Sequence, residues 1–231
     1  MFIIKSAFCR GFQMVFRMAL PFLPYREPEI VSSCPKLGRV FAKEAIKSVM
    51  IVTDKGIVNN GLTTPIEDVL KKSGVAYIMY DKTQPNPTVH NVEEVLAIYQ
   101  QNHCDSLIAI GGGSSIDCAK AVGARLAHPR KSLNQLKGIR RVCRKLPILI
   151  AVPTTAGTGS EVTLASIITD SEKHHKYALC CTQGWNCIYK ILRGVHSCGC
   201  SFIRRTVWHA SWTCKCSHYA LCIGSVWKMR I

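Results

Sequence analysis

Ser106-Leu-Ile-Ala-Ile-Gly-Gly-Gly-Ser-Ser-Ile-Asp-Cys-Ala-Lys120 is the stretch whose reading decides the fold. Leu107 to Ile110 form a short apolar run, as expected of a strand buried on both faces. Gly111, Gly112 and Gly113 then remove the Cβ atoms that would hold a ligand away from the backbone. From Ser114 on the pattern is helical, with Ser114 expected as the cap and Asp117 as its capping-box partner. A helix N-terminus after a glycine turn offers N–H groups and a positive dipole end to an anion, so a phosphate or pyrophosphate is the expected ligand. A strand-to-helix turn without ligand is the plainer alternative. The run fits G-x-G-x-x-I rather than G-x-G-x-x-G, so the standard dinucleotide fingerprint is not met.

Working back from this turn, the chain alternates strands and helices. A helix is expected over 35–47, and Ser48 to Asp54 reads as a strand ending in an acid. Such an acid can accept from ribose hydroxyls or cap the next turn. Thr64-Pro65 opens a helix that Gly74 stops, and Val75 to Tyr80 is a second strand. Gln84-Pro-Asn-Pro-Thr88 is a loop in which the following proline should keep Asn86 extended. Val89 to Gln101 is an amphipathic helix. The crossover lengths suit parallel pairing, and in parallel sheets ligands gather at the carboxyl ends of strands. Asp54, Asn86 and Gly111 to Ser115 all lie at such ends.

Working forward, residues 130–145 carry seven basic residues and no acid, which reads as a solvated loop, with an anion patch as the alternative. Leu146 to Pro153 is a buried strand running into Thr154-Thr-Ala-Gly-Thr-Gly-Ser-Glu-Val-Thr163. This second loop offers many hydroxyls and backbone N–H groups to a phosphate, ribose or amide. The adjacent His174 and His175 point in different directions and make a poor metal pair.

Composition divides the 231 residues near Tyr177. Eight of the thirteen cysteines and all four tryptophans follow Ala178, and no Asp or Glu follows Glu172. A net charge of +16 would ordinarily suggest nucleic acid or an acidic membrane. The basic residues of 178–231 are scattered, however, and no apolar run spans a membrane. Residues 1–24 read as an amphipathic leader, with a transit peptide as the alternative. Cys198-x-Cys200 and Cys214-x-Cys216 have the wrong spacing for structural zinc.

Five blocks carry a family resemblance. They are Leu23-Pro-Tyr-Arg-Glu-Pro28, Val52-Thr-Asp-Lys-Gly56, Gln84 to Thr88, Ile110 to Ser114 with Asp117-Cys-Ala-Lys120, and Pro153 to Thr163. In order and spacing they resemble the iron-containing (group III) alcohol dehydrogenases, over about residues 22–177. The resemblance implies an α/β fold, a Rossmann-like parallel sheet domain flanked by helices. It also implies an NAD-dependent, cytoplasmic oxidoreductase acting on a small-molecule alcohol or aldehyde, with no nucleic acid or membrane partner and with family-like homo-oligomers. By resemblance Asp54 would meet the adenosine ribose and favour NAD over NADP, and Asn86 would line the cleft. Gly113 and Ser114 would hold the pyrophosphate, with Gly112 beside them in the cofactor site. Thr154, Thr155 and Thr158, with Thr163, would surround the nicotinamide side, and Lys176 would reach a ribose hydroxyl. No catalytic residue is assigned.

The domain expectation is a leader at 1–24, a dinucleotide-binding α/β domain at 25–177, and a non-homologous tail at 178–231 that is irregular or poorly ordered. The family's usual glycine turn between Glu29 and Leu37 is replaced by Val31-Ser-Ser-Cys-Pro35. Its helical second domain, whose Asp and three His residues hold iron, is expected to be absent, so no metal ligand is assigned here. An out-of-frame or mis-spliced reading of that domain would explain the tail. Three functional readings follow: the family's hydride transfer, a non-catalytic NAD-binding fragment, and a basic Cys-rich zinc- or nucleic-acid-binding protein.

Overall fold

A computed structural model describes Met14 and residues 29–31, 33–156, 158–161, 163, 165–171, 175–181 and 187–191. The leader call therefore lies almost wholly outside the described residues, as does most of the tail.

The main sheet has six parallel strands: β1 (Glu29–Val31), β2 (Ser48–Val52), β3 (Ala76–Tyr80), β4 (Ser106–Gly111), β6 (Ile148–Pro153) and β9 (Cys187–Ile191). Their order is β1-β9-β6-β4-β2-β3. The helices are α1 (Leu37–Lys43), α2 (Lys55–Asn59), α3 (Thr64–Lys72), α4 (Val89–Gln101) and α5 (Gly113–Ala127). Every residue of β4 is buried, as its unbroken apolar run requires of a central parallel strand. β3, at the sheet edge, is partly exposed along most of its length.

Alternate residues of each strand feed two cores. Met50, Val52, Leu107, Ala109, Leu149 and Ala151 pack with α4 and α5. On the other face Val49, Ile51, Ile108, Ile110, Ile150 and Val152 pack with α1 and α3. The chain thus leaves β2 toward one face of the sheet and leaves the neighbouring β4 toward the other. Strands that diverge in this way open a crevice at their carboxyl ends, where open α/β sheets bind ligands.

Local signals explain most helix ends. Thr88 and Asn91 form a reciprocal capping box at α4, each side chain 3.2 Å from the other's backbone nitrogen. Gly74, at φ 66°, follows α3 in the left-handed conformation that glycine tolerates. The expected 35–47 helix is a 3-10 turn at Cys34–Lys36 followed by α1, which stops before Ala45 at φ 53°.

Four readings are corrected. Residues 130–145 are not merely a solvated loop. They contain a 3-10 turn (Leu133–Leu136) and β5 (Gly138–Val142), with Leu133, Leu136 and Val142 buried. β5 joins β7 (Ala165–Asp170) and β8 (His175–Cys181) in a second sheet of order β5-β8-β7, where β7 and β8 are antiparallel. Asn86 is not extended but sits at φ 59°, a conformation short amide side chains support. Ser114 does not cap α5: the N-cap is Gly112, and no side chain caps it. Within 178–231, where composition gave no regular pattern, residues 187–191 pair with β6 and β1 in the main sheet.

Candidate active site

Gly111, at φ 147°, closes β4, and its carbonyl accepts from the Thr154 backbone nitrogen at 2.9 Å. The end of β6 is thereby tied to the glycine turn. The turn is lined on both sides. A Cβ at Gly111 would lie 2.6 Å from Ser115 Oγ and 3.4 Å from Asp54 Oδ2. At Gly112 it would lie 3.1 Å from Thr155 Oγ1, and at Gly113 it would lie 2.9 Å from Ser160 Oγ. Thr158 Cβ is 3.8 Å from that last position. The glycines therefore let a carboxylate and a hydroxyl-rich loop approach the backbone from opposite sides.

Asp54 takes the capping role of its two readings. Its Oδ1 caps α2 by accepting from Ile57 N at 3.1 Å, while Oδ2 looks toward Gly111. A cap of this kind fixes the carboxylate's orientation. The Asn86 backbone N–H donates to Ser114 Oγ at 3.2 Å, and Lys176 Nζ donates to Asn86 Oδ1 at 2.8 Å. The Thr169 backbone N–H donates to the Pro87 carbonyl at 2.8 Å, so the β7–β8 hairpin holds the 81–88 loop beside the turn.

The structure thus brings Asp54, Asn86, Gly112, Gly113, Ser114, Thr154, Thr155, Thr158 and Lys176 around one crevice. Thr163 is placed differently. Its hydroxyl lies 3.2 Å from the Ser160 and Ala165 carbonyls and 3.3 Å from Lys120 Nζ, within the loop's own frame. Asp117, expected in a capping box, instead accepts from Ile167 N at 3.2 Å through Oδ2. Sequence reasoning named Ser115 only within the Gly111–Ser115 turn and Lys120 only within a motif, and gave neither a role of its own. The signal for Lys120 was a cation on the apolar face of α5, two turns beyond Gly113.

The turn fits a phosphate-bearing cofactor on two observations. Substitution by any larger residue would fill the cradle, and Ser115 Oγ and Thr158 Oγ1 are buried beside it without a hydrogen-bond partner among the described residues. Buried hydroxyls normally find partners, and cofactor oxygens would supply them. The crevice is not an iron site on its own. Among the described residues no three His, Cys, Asp or Glu side chains group to hold a metal ion. Among them, too, no helix is long and apolar enough to cross a membrane. Cys118, wholly buried on α5, has its thiol pushed up to about 12 chiefly by desolvation and is no nucleophile.

An α/β sheet with a glycine turn at the divergence of two strands sets a ligand crevice at their carboxyl ends, and the comparisons with known proteins identify the family. The family model for iron-containing alcohol dehydrogenase matches residues 31–185, so the match runs past Tyr177. The chain belongs to the iron-containing alcohol dehydrogenase family, a family of oxidoreductases. It is 38% identical over 142 residues to the choline dehydrogenase of Bacillus subtilis (strain 168), covering 61% of this chain and 35% of that protein. Among solved structures it resembles the alcohol dehydrogenase from Oenococcus oeni, at 35% identity and TM-score 0.67, over 72% of this chain and 45% of that one. It also resembles the sulfoacetaldehyde reductase from Bifidobacterium kashiwanohense solved with NAD+, at 26% identity and TM-score 0.61, over 72% and 45%. The chain spans about a third of the length of the Bacillus relative.

Proposed function

We propose that the β2–β4 crevice binds NAD, and that the chain is the cofactor-holding part of an enzyme transferring hydride between a primary alcohol or aldehyde and the nicotinamide ring. The observation that carries this reading is the glycine cradle with its two buried hydroxyls, Ser115 Oγ and Thr158 Oγ1, without a hydrogen-bond partner among the described residues. When bound, the cofactor supplies the redox chemistry. The chain's own groups then bind and orient it. The uncapped first turn of α5 faces the pyrophosphate, and the dipole end favours its charge. Asp54 accepts from the adenosine ribose and repels a 2′-phosphate, which sets NAD above NADP. Asn86 and Lys176, already bonded to each other, close the other wall. Thr154, Thr155 and Thr158 contribute hydroxyls on the nicotinamide side, with Thr163 behind them.

The same reading extends to the isolated chain, which binds the dinucleotide without turnover. It is supported by the lack of any acid after Glu172, where the family's metal-binding Asp would be needed. A fluorescence titration with NADH tests the first statement, and saturable binding with the full chain is expected. No binding would sink it. Reduction of NAD+ by a metal-loaded sample given a primary alcohol would overturn the second statement alone.

A further inference from the structure

Lys120 is wholly buried in α5, yet its ammonium carries a full set of protein partners. It donates to the Ser160 carbonyl, to the Thr163 carbonyl at 2.8 Å and to the Ala165 carbonyl at 3.2 Å. All three acceptors belong to the stretch that leads from the hydroxyl-rich loop into β7. Gly113, Asp117 and Lys120 are spaced four and three residues apart, so they share one face of the helix. That face grips the stretch along its length. Ser160 Oγ and Thr158 Cβ lie against the Gly113 position, 2.9 and 3.8 Å from where its Cβ would be. Farther along, the Ser166 hydroxyl donates to the Asp117 carbonyl at 2.7 Å, and the Ile167 backbone N–H donates to Asp117 Oδ2 at 3.2 Å.

Removing an ammonium from water costs several kcal/mol, whereas a methionine of similar shape would pack among Leu107, Ala119 and Gly123 at no such cost. What the ammonium adds is direction. Charge-assisted bonds from one atom to three carbonyls of one loop fix that loop's backbone far more tightly than apolar contact would. We propose that Lys120 is a positioning residue for the dinucleotide, drawing the Ser160, Thr163 and Ala165 carbonyls onto α5 and so setting the Thr158 and Ser160 hydroxyls over the glycine turn. It acts through the loop and touches no cofactor atom. The inference rests on the NAD reading above.

The test titrates the full chain with NADH and, separately, with AMP. The adenosine half meets the Asp54 side of the turn, which Lys120 does not hold. Lys120→Met is expected to weaken NADH by about tenfold or more, as misplacement of a positioning loop does. AMP affinity should fall clearly less than NADH affinity, because its adenosine meets the Asp54 side and only its phosphate faces the loop. Lys120→Gln, which keeps a donor without the charge, should fall between wild type and Lys120→Met for NADH. Circular dichroism and thermal melting accompany each variant. Unchanged NADH binding in a folded variant overturns the Lys120 role and leaves the NAD reading standing. Equal weakening of NADH and AMP overturns it too, because it marks general damage. Should Lys120→Met fail to fold, Lys120→Gln decides by the same criteria, and unfolding of both makes Lys120 a core residue and nothing more. Failure of the wild-type chain to bind NADH while staying folded overturns both readings together.

Discussion

At the end of β2 a side chain closes the helix that follows, and at the end of β4 none does. Asp54 turns Oδ1 onto the first turn of α2, while α5 begins at Gly112 with its first turn bare. Both junctions open into the same crevice, so the difference is not one of exposure or of sheet position. A helix N-terminus leaves N–H groups unmatched, and a chain selected only for stability would cap them. Ser114 was available for that purpose, but its hydroxyl accepts from Asn86 instead. The two junctions divide the work: one holds a carboxylate rigid, and the other keeps a positive helix end open for an anion.

The most damaging way to break this contrast is Gly111→Ala. The glycine's φ of 147° and the 2.6 Å approach to Ser115 Oγ leave no room for a methyl group. A loss of about 2–3 kcal/mol in urea unfolding is expected, together with loss of NADH binding. Gly113→Ala should separate the two effects. Gly113 already has helical geometry, so stability should change by less than about 1 kcal/mol, since alanine favours a helix. Its Cβ would displace Ser160 Oγ, however, and NADH should weaken by about tenfold, or about 1.4 kcal/mol in a fluorescence titration.

The β2 junction sharpens the comparison from the other side. Asp54→Ala removes the cap and should cost about 1 kcal/mol. Asp54→Asn keeps a capping oxygen, so stability should hold while discrimination against NADPH narrows. If Asp54→Asn leaves the NADH-to-NADPH affinity ratio unchanged, the carboxylate is a cap and nothing more. Thr88→Ala acts on the third wall: loss of the α4 capping box should cost about 1 kcal/mol and, because Thr88 ends the loop that carries Asn86, weaken NADH less than Gly113→Ala does in the same titration.

The smallest expected effect concerns pH. His128 ends α5 and is buried, and desolvation first, then the charges of Lys131 and Arg144, lower its pKa. The unfolded chain therefore takes up a proton that the folded chain refuses. The resulting stability is complete above the unfolded value of about 6.5 and is lost as pH falls below it. Urea midpoints at neutral and mildly acidic pH should differ more for the wild type than for His128→Gln.

The central strands and the site were legible in the sequence for one reason. β2, β4 and β6 are buried on both faces, so their apolar runs are unbroken, and the residues just past their ends line the crevice. What stayed hidden depends on distance along the chain. The hydroxyl of Ser114 could serve its own helix or a loop 28 residues away, and local spacing cannot separate the two. β5 escaped because its Arg140 and Arg141 interrupt the alternation, and its burial comes from β8, contributed much later in the chain. Lys120 escaped because a cation in a helix is ordinarily solvated, and only the carbonyls of residues 160–165 explain its burial. β9 lay in a stretch whose composition suggested no element at all.

The single backbone hydrogen bonds that tie the crevice together also make it observable without any ligand. The Thr154 amide donates to Gly111, and the Thr169 amide to Pro87, each across two separate elements. Neither sits inside a helix, so each exchanges its proton when its own pair of elements parts. Deuterium uptake at these two positions would report, one wall at a time, how often the glycine turn and the 81–88 loop let go. A cofactor bridging both walls would slow the two together, and one seated on the turn alone would slow only Thr154.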